Sequence, residues 1–261
     1  MSLFRGIQFS AKNGRHLWQG IPVSVVAAGV IAMLPGPLRG GEPKAMPAQV
    51  DPVVATINNE KVPAAEYRLI MERKTADVFS YFKEHKDLDD HVGYWSESSG
   101  PEGPLARLRQ VVLEELIRIK VHQSLAKEKG LIKETSFANF KEEFERENVR
   151  RAAAKSAGQV IYGPSQYRIG TYYYILFGDL AYKLKQAIAK ELEPEIPESE
   201  IKSYYEANKD SLGGKSLDDM RRKILVFLST KAAEKKLDAL CASAKVEVNE
   251  PLLRPLVPRS D

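Results

Sequence analysis

Two histidines and three aspartates stand within seven consecutive residues. His85 and His91 bracket Asp87, Asp89 and Asp90. Imidazole nitrogens and carboxylate oxygens are common metal ligands, but the segment lacks the glycine and final glutamate of a calcium-binding loop, and its spacing does not fit a zinc site. We therefore expect a solvated helix end here and no bound metal.

The histidines beyond position 50 are also the main candidates for acid-base catalysis. They are His85, His91 and His122, and none of them accompanies a plausible nucleophile. The sequence contains no glycine-rich phosphate loop, no Gly-x-Ser-x-Gly elbow and no His-Glu-x-x-His pair. Because catalytic groups must converge on one reacting centre, the residues predict no catalytic site and no cofactor.

Several aromatic residues stand apart from the predicted core. Tyr167, Tyr172, Tyr174 and Tyr182 lie off the apolar stripe of their predicted helix, and Trp95 stands in a polar loop. Such rings either line a surface that binds apolar segments or pack partly buried with the polar end in water. The sequence leaves both interpretations open.

Helices must position these residues, because apolar side chains recur at steps of three and four along most of the chain. Proline, glycine and serine mark their ends. The predicted helices run from Pro63 to about His85, from Leu105 to near Gly130, from Thr135 or Ser136 onward, from Ser165 to about Leu192, from Ser199 to about Asn208, and from Ser216 to about Ala244. The fold class is therefore expected to be mainly α.

The first 38 residues have the features of an export signal or a membrane anchor. Residues 21–34 form the only strongly apolar run of that length, and Arg5, Lys12 and Arg15 precede them. No small-x-small cleavage site follows, so a cleaved signal and a retained anchor remain equally open. Either way, we expect the body to lie outside the cytoplasm, in the periplasm or at the cell-envelope face.

Composition divides the rest of the chain. Residues 39–52 are rich in proline and glycine and predict a tether, residues 53–249 a folded domain, and residues 250–261 a flexible tail. Residues 1–50 hold five of the 39 basic and one of the 35 acidic residues, so the remainder is formally neutral. A neutral body argues against nucleic acid as a partner, since binding nucleic acid requires a basic surface.

Two distant segments suggest a family. The run Val53–Ile57 precedes an Asn-Asn turn and a helix opened by Pro63. Residues 200–209 read E-I-K-S-Y-Y-E-A-N-K, and residues 245–249, K-V-E-V-N, have a strand-like pattern. This order resembles the chaperone core of the SurA and PrsA extracytoplasmic foldases. In those proteins a parvulin-type prolyl isomerase module follows the E-I-x-x-Y-Y helix. Here only eight residues separate Asn208 from Leu217, so the module is missing.

The resemblance implies a helical chaperone core whose two ends meet in a small two-stranded sheet. It also implies a cradle that binds unfolded, newly exported polypeptides, with Trp95, Tyr167, Tyr172, Tyr174 and Tyr182 as candidate lining residues. The N-terminal segment would join this domain to a membrane. The lone cysteine stands far from the signal, unlike that of the lipid-anchored family members.

Two other functions remain open at this point. The chain is a divergent prolyl isomerase if its catalytic site is unlike the known ones. It is a structural partner protein if its helical surface docks one dedicated exported subunit or forms a homodimer. Its oligomeric state does not follow from the sequence.

Overall fold

The computed structural model describes residues 51–258 except 90, 92 and 97–99. The predicted signal or anchor, residues 1–38, lies outside these residues, as does the predicted tether up to residue 50. Within the described ranges, no helix combines the length and the apolar character needed to cross a bilayer.

The described chain is mainly helical with one small antiparallel sheet, as the composition and periodicity predict. Short 3-10 turns at Glu193–Glu195 and Lys209–Leu212 flank the fifth helix. The elements are β1 (Val53–Ile57), β2 (Glu60–Pro63), α1 (Ala64–Lys86), α2 (Pro104–Glu128), α3 (Phe137–Ser156), α4 (Ile169–Leu192), α5 (Glu198–Asn208), α6 (Leu217–Ala242), β3 (Val246–Val248) and α7 (Glu250–Leu253).

The sheet joins the two ends of the body, and it has three strands rather than the two expected. Its order is β2-β1-β3, and all neighbours are antiparallel. Asn58 and Asn59 adopt positive φ angles of 46° and 70°, which is the geometry of a two-residue hairpin turn. The chain therefore returns as β2 before Pro63 leads into α1. The predicted pairing of the first strand with the last is confirmed.

The core lies where α1, α2 and α4 pack on one another and on the sheet. The apolar stripe predicted for α4 is buried from Tyr173 to Ile188. Leu184 and Ile188 extend the core into a second cluster between α4 and α6, and Ile201 with Tyr205 forms a third between α5 and α6. Burial of these stripes removes apolar surface from water and supplies most of the driving force for the fold.

Three predicted helix ends are confirmed by local geometry. The Ser136 and Ser216 hydroxyls accept hydrogen bonds from the backbone amides of Asn139 and Asp219, as N-caps do. Gly130 has a φ of 71° just beyond α2, where helices often end in a left-handed residue.

The predicted start of the fourth helix at Ser165 is wrong, because α4 begins at Ile169. The preceding residues are held extended by side chains of α3. The Arg151 guanidinium donates to the carbonyl oxygen of Pro164 at 2.7 Å, and Asn148 bonds both the amide and the carbonyl of Tyr167. These contacts satisfy the backbone outside a helix, so a serine cap is not used.

The flexible tail predicted for residues 250–261 is also wrong for the part that the structure describes. It begins with α7, and Leu253 and Leu256 are each 3% exposed within the main core. Arg109 on α2 donates to the carbonyl oxygen of Arg254 at 2.7 Å. Leu253 and Leu256 therefore complete the core beside β1.

Candidate functional site

The structure does not bring the five predicted peptide-binding residues together. Only Tyr167 and Tyr172 are in contact, with ring centroids 5.2 Å apart. Trp95 packs on Tyr94 in the loop after α1, and Tyr174 lies beneath the guanidinium of Arg73 at 3.8 Å. Peptide binding by these five residues stays a prediction, but their rings do not form one contiguous cluster among the described residues.

Their burial also differs from one residue to the next. Tyr182 is 62% exposed on the outer part of α4, whereas Tyr172 is only 8% exposed. Burial, reinforced by Glu143 and Glu147, raises the pKa of Tyr172 to about 12. Burial likewise raises the pKa of Tyr174 to about 12, with Glu115 adding to the effect. Tyr172 is therefore part of the protein's packing, whereas Tyr174 is half-buried beneath Arg73.

A groove beside this aromatic cluster is the best candidate site. It lies between the middle of α4, the start of α3 and the connection that follows α2, and it has a volume of about 180 Å³. Its floor and walls are apolar and are formed by Leu131, Ile132, Phe140, Tyr173, Leu176, Phe177 and Leu180. The edge-on contact of Phe140 with Tyr173, at 4.8 Å between centroids, fixes the floor.

The rim of the groove is acidic. Glu134, Glu143, Asp179 and Lys183 line it, and Asp179 forms an ion pair of 2.6 Å with Lys183. Two carboxylates then remain without an ion pair among the described residues. An apolar floor with this rim favours apolar side chains that are flanked by basic residues.

A buried ion pair holds the groove floor in place. The Tyr173 hydroxyl donates to Glu66 Oε1 at 2.6 Å, and Lys120 Nζ lies 2.8 Å from Glu66 Oε2. Both charged side chains are almost inaccessible to solvent. Burial, together with the Glu66 carboxylate, raises the pKa of the Tyr173 hydroxyl well above its ordinary value. Glu66, Lys120 and Tyr173 thus form a triad that links α1, α2 and α4 beneath the groove.

The wall of the groove is anchored to the hairpin at the start of the domain. Thr135 is buried and donates from its hydroxyl to Glu60 Oε2 at 2.7 Å, which joins the connection after α2 to β2. Ser136 then caps α3 with its side chain. These two contacts set where α3 begins and therefore where Phe140 lies over the floor.

The histidines do not converge. The His85 ring stacks on Tyr81, His91 contacts the carbonyl oxygen of Asp89, and His122 is buried in α2. Asp90, which belongs to the acidic segment considered as a metal site, lies outside the described residues. Among the described residues, no three histidine, cysteine, aspartate or glutamate side chains are grouped to hold a metal ion.

His122 makes stability depend on pH. Burial, with repulsion from Arg118, lowers its pKa from 6.5 to about 4, although Asp238 and Glu115 oppose the shift. The unfolded chain therefore binds more protons than the folded one between pH 6.5 and 4, so stability falls as the pH falls through this window. We expect a loss of about 1–2 kcal/mol between pH 7.5 and 5.0, measured by denaturant unfolding.

The control for this prediction is His122→Phe, which keeps a ring against Phe177 and removes the titrating group. We expect its stability to change little between pH 7.5 and 5.0. Glu147 does not interfere with this comparison. Its hydrogen bond to Arg150 lowers its pKa, so its contribution to stability is lost only at more acidic pH. An unchanged pH slope in the variant would assign the effect to other groups.

Sequence reasoning missed most of the groove. Phe137, Phe140 and Phe144 stand on one face of the third helix at helical spacing, but no binding site was predicted there. The signal that was available is the combination of these rings with Glu134 and Glu143 at the same end of the helix.

Comparisons of the chain with protein-family models, with curated proteins and with solved structures give no match.

Proposed function

We propose that this chain is an extracytoplasmic peptide-binding chaperone of the SurA/PrsA type that holds unfolded exported proteins and has no parvulin module of its own. The observation that carries the proposal is the apolar groove with an acidic rim between α3 and α4. Holding of this kind requires no cofactor and no covalent step.

The size of the groove favours a polypeptide over a small molecule. Pockets for drug-sized ligands measure roughly 300–1,000 Å³ and enclose most of the ligand. A groove of about 180 Å³ instead has room for apolar side chains of a segment that runs across it. Apolar contacts are non-directional, so such a site tolerates many sequences.

The connection between α5 and α6 is the place where the resemblance puts the missing isomerase module. In the foldases that the chain resembles, the isomerase module is inserted at this point. Here the chain turns through Gly213 and Gly214, both with positive φ, and the Tyr205 hydroxyl donates to the carbonyl oxygen of Lys215 at 2.9 Å. The two helices are thus joined directly, and binding is the activity left to the core.

The acidic rim predicts which segments bind best. We compare two labelled peptides with the same apolar centre, one flanked by lysines and one by glutamates, using fluorescence anisotropy. The lysine-flanked peptide should bind more tightly because the groove carries excess negative charge. Glu134→Gln combined with Glu143→Gln should weaken its binding about three- to tenfold, as expected for the loss of two solvent-screened charge contacts.

The matched control changes Glu200→Gln and Glu206→Gln, two exposed carboxylates on α5. This variant alters net charge equally but leaves the groove intact, so peptide affinity should stay the same. Equal affinities of the two peptides for the unmodified chain, or equal losses in both variants, would show that the groove is not the binding site.

A further inference from the structure

The loop between α3 and α4 is held by one buried arginine. Arg151 is 6% exposed, and its Nη1 donates to the carbonyl oxygens of Tyr162 and Pro164 at 3.0 and 2.7 Å. Its Nη2 donates to the Tyr167 hydroxyl at 2.9 Å, and its guanidinium also lies over the Tyr167 ring. The loop therefore has a defined shape, with each of these contacts made inward.

The same loop presents apolar side chains outward. Val160 is 82% exposed and Tyr162 is 87% exposed, although the loop that carries them is tied down. Val149, on the adjoining part of α3, is also exposed. Val160 and Tyr162 therefore lie two positions apart on a loop of defined shape with their side chains nearly uncovered.

The charge around this loop has one sign. Residues 148–178 include no aspartate or glutamate but contain Arg150, Arg151, Lys155 and Arg168. Glu147 pairs with the first two arginines, at 2.7 and 2.8 Å. Among the described residues, Lys155 and Arg168 have no carboxylate partner. Helices α3 and α4 and the loop between them form a helical hairpin, and the loop end of this hairpin, its tip, therefore carries excess positive charge.

We propose that the tip of this hairpin docks on an anionic lipid bilayer, with Val160 and Tyr162 entering the interface between headgroups and acyl chains. Tyrosine is favoured at that depth, and nearby lysine and arginine residues attract anionic headgroups. Nearly uncovered apolar side chains beside excess positive charge match an anionic membrane surface better than a single peptide. This inference does not depend on the proposed chaperone function.

The position of the tip in the molecule offers an internal control. The tip lies before Ile169, at the start of α4, whereas α5 follows the other end of that helix. At about 1.5 Å per residue, the 24 residues of α4 separate the two ends by roughly 36 Å. A probe on the exposed Lys202 of α5 should therefore remain in water when the tip is docked.

The test uses the full chain in a Cys241→Ser background, labelled with the fluorophore NBD at Tyr162→Cys or at Lys202→Cys. The protein is reconstituted into vesicles of phosphatidylcholine alone or with phosphatidylglycerol, and quenching by spin-labelled lipid is measured. We expect the probe at position 162 to shift to shorter wavelength and to be quenched only when anionic lipid is present. The probe at position 202 should not respond.

Lys155→Gln and Arg168→Gln should lower the ratio of docked to undocked tip about fivefold for each charge removed. Both residues are exposed, so the fold should tolerate the changes. Identical behaviour of the two probes, or an equal response without anionic lipid, would overturn the proposal. A response of the probe at position 162 to an unfolded client but not to vesicles would also overturn it, because the tip would then bind polypeptide.

Discussion

Replacing Lys120 with methionine is expected to lower the free energy of unfolding by about 3–5 kcal/mol. The lysine side chain is fully buried, and its Nζ lies 2.8 Å from Glu66 Oε2. Its removal leaves the Glu66 carboxylate in the core without a compensating charge. The loss is measured by chemical denaturation, followed by circular dichroism.

A double variant separates lost charge compensation from lost packing. Glu66→Gln combined with Lys120→Met removes both charges and leaves an amide oxygen to accept from the Tyr173 hydroxyl, so we expect most of the stability to return. The surface control is Lys185→Met, which breaks a half-exposed ion pair with Glu234 and should change stability by less than about 1 kcal/mol. A double variant as unstable as Lys120→Met would contradict this account of the triad.

The buried residues Leu253 and Leu256 should contribute as much to stability as the Glu66–Lys120 ion pair. We expect Leu253→Ala combined with Leu256→Ala to destabilise the protein by about 4–6 kcal/mol, since each substitution removes a fully buried side chain and leaves a cavity. Both leucines belong to the core cluster that contains Val54 and Ile57. Thermal or denaturant unfolding of the purified variant measures the effect.

Leu252→Ala is the matched control, because this neighbouring leucine is 37% exposed. It should change stability by less than about 1 kcal/mol, as is usual for surface substitutions. If the double alanine variant were as stable as this control, the C-terminal residues would be the flexible tail that composition suggests.

The helices were predictable from the sequence because their burial follows from local spacing. The stripe from Tyr173 to Ile188 and the caps at Ser136 and Ser216 depend only on neighbours along the chain. The start of α4 was not predictable in this way. It depends on Arg151 and Asn148, whose bonds to the loop require that α3 and the loop already be folded together.

Two further features could not be predicted, because they also depend on contacts between distant parts of the chain. Glu66 and Lys120 stand next to the predicted stripes of their helices, but a charged side chain is expected at the surface unless its partner is known. Their partnership spans distant parts of the chain and became visible only in three dimensions. Strand β2 was missed because Glu60 and Lys61 are polar, although the Asn58-Asn59 turn is a hairpin signal.

The candidate site was predictable only as a type of surface. An excess of aromatic residues on the helices suggested peptide binding, but periodicity does not determine which ring is covered by a helix distant in sequence. Tyr172 lies off the apolar stripe and is nevertheless buried, because Phe140 and Phe144 of α3 pack against it. The groove itself combines residues from three parts of the chain.

The central claim is that the groove holds unfolded chains, and light scattering tests it most directly. A chemically unfolded client is diluted into buffer with the fragment 51–261, whose folding is first checked by circular dichroism. We expect aggregation to be suppressed at an equimolar ratio of fragment to client. At one tenth of that ratio, the suppression should be about tenfold smaller. Leu131→Ser, at a groove residue that is 39% exposed, should abolish most of the suppression. Leu240→Ser, at a residue outside the groove that is 36% exposed, should not. Absence of suppression by the folded fragment, or equal suppression by both variants, would contradict the claim.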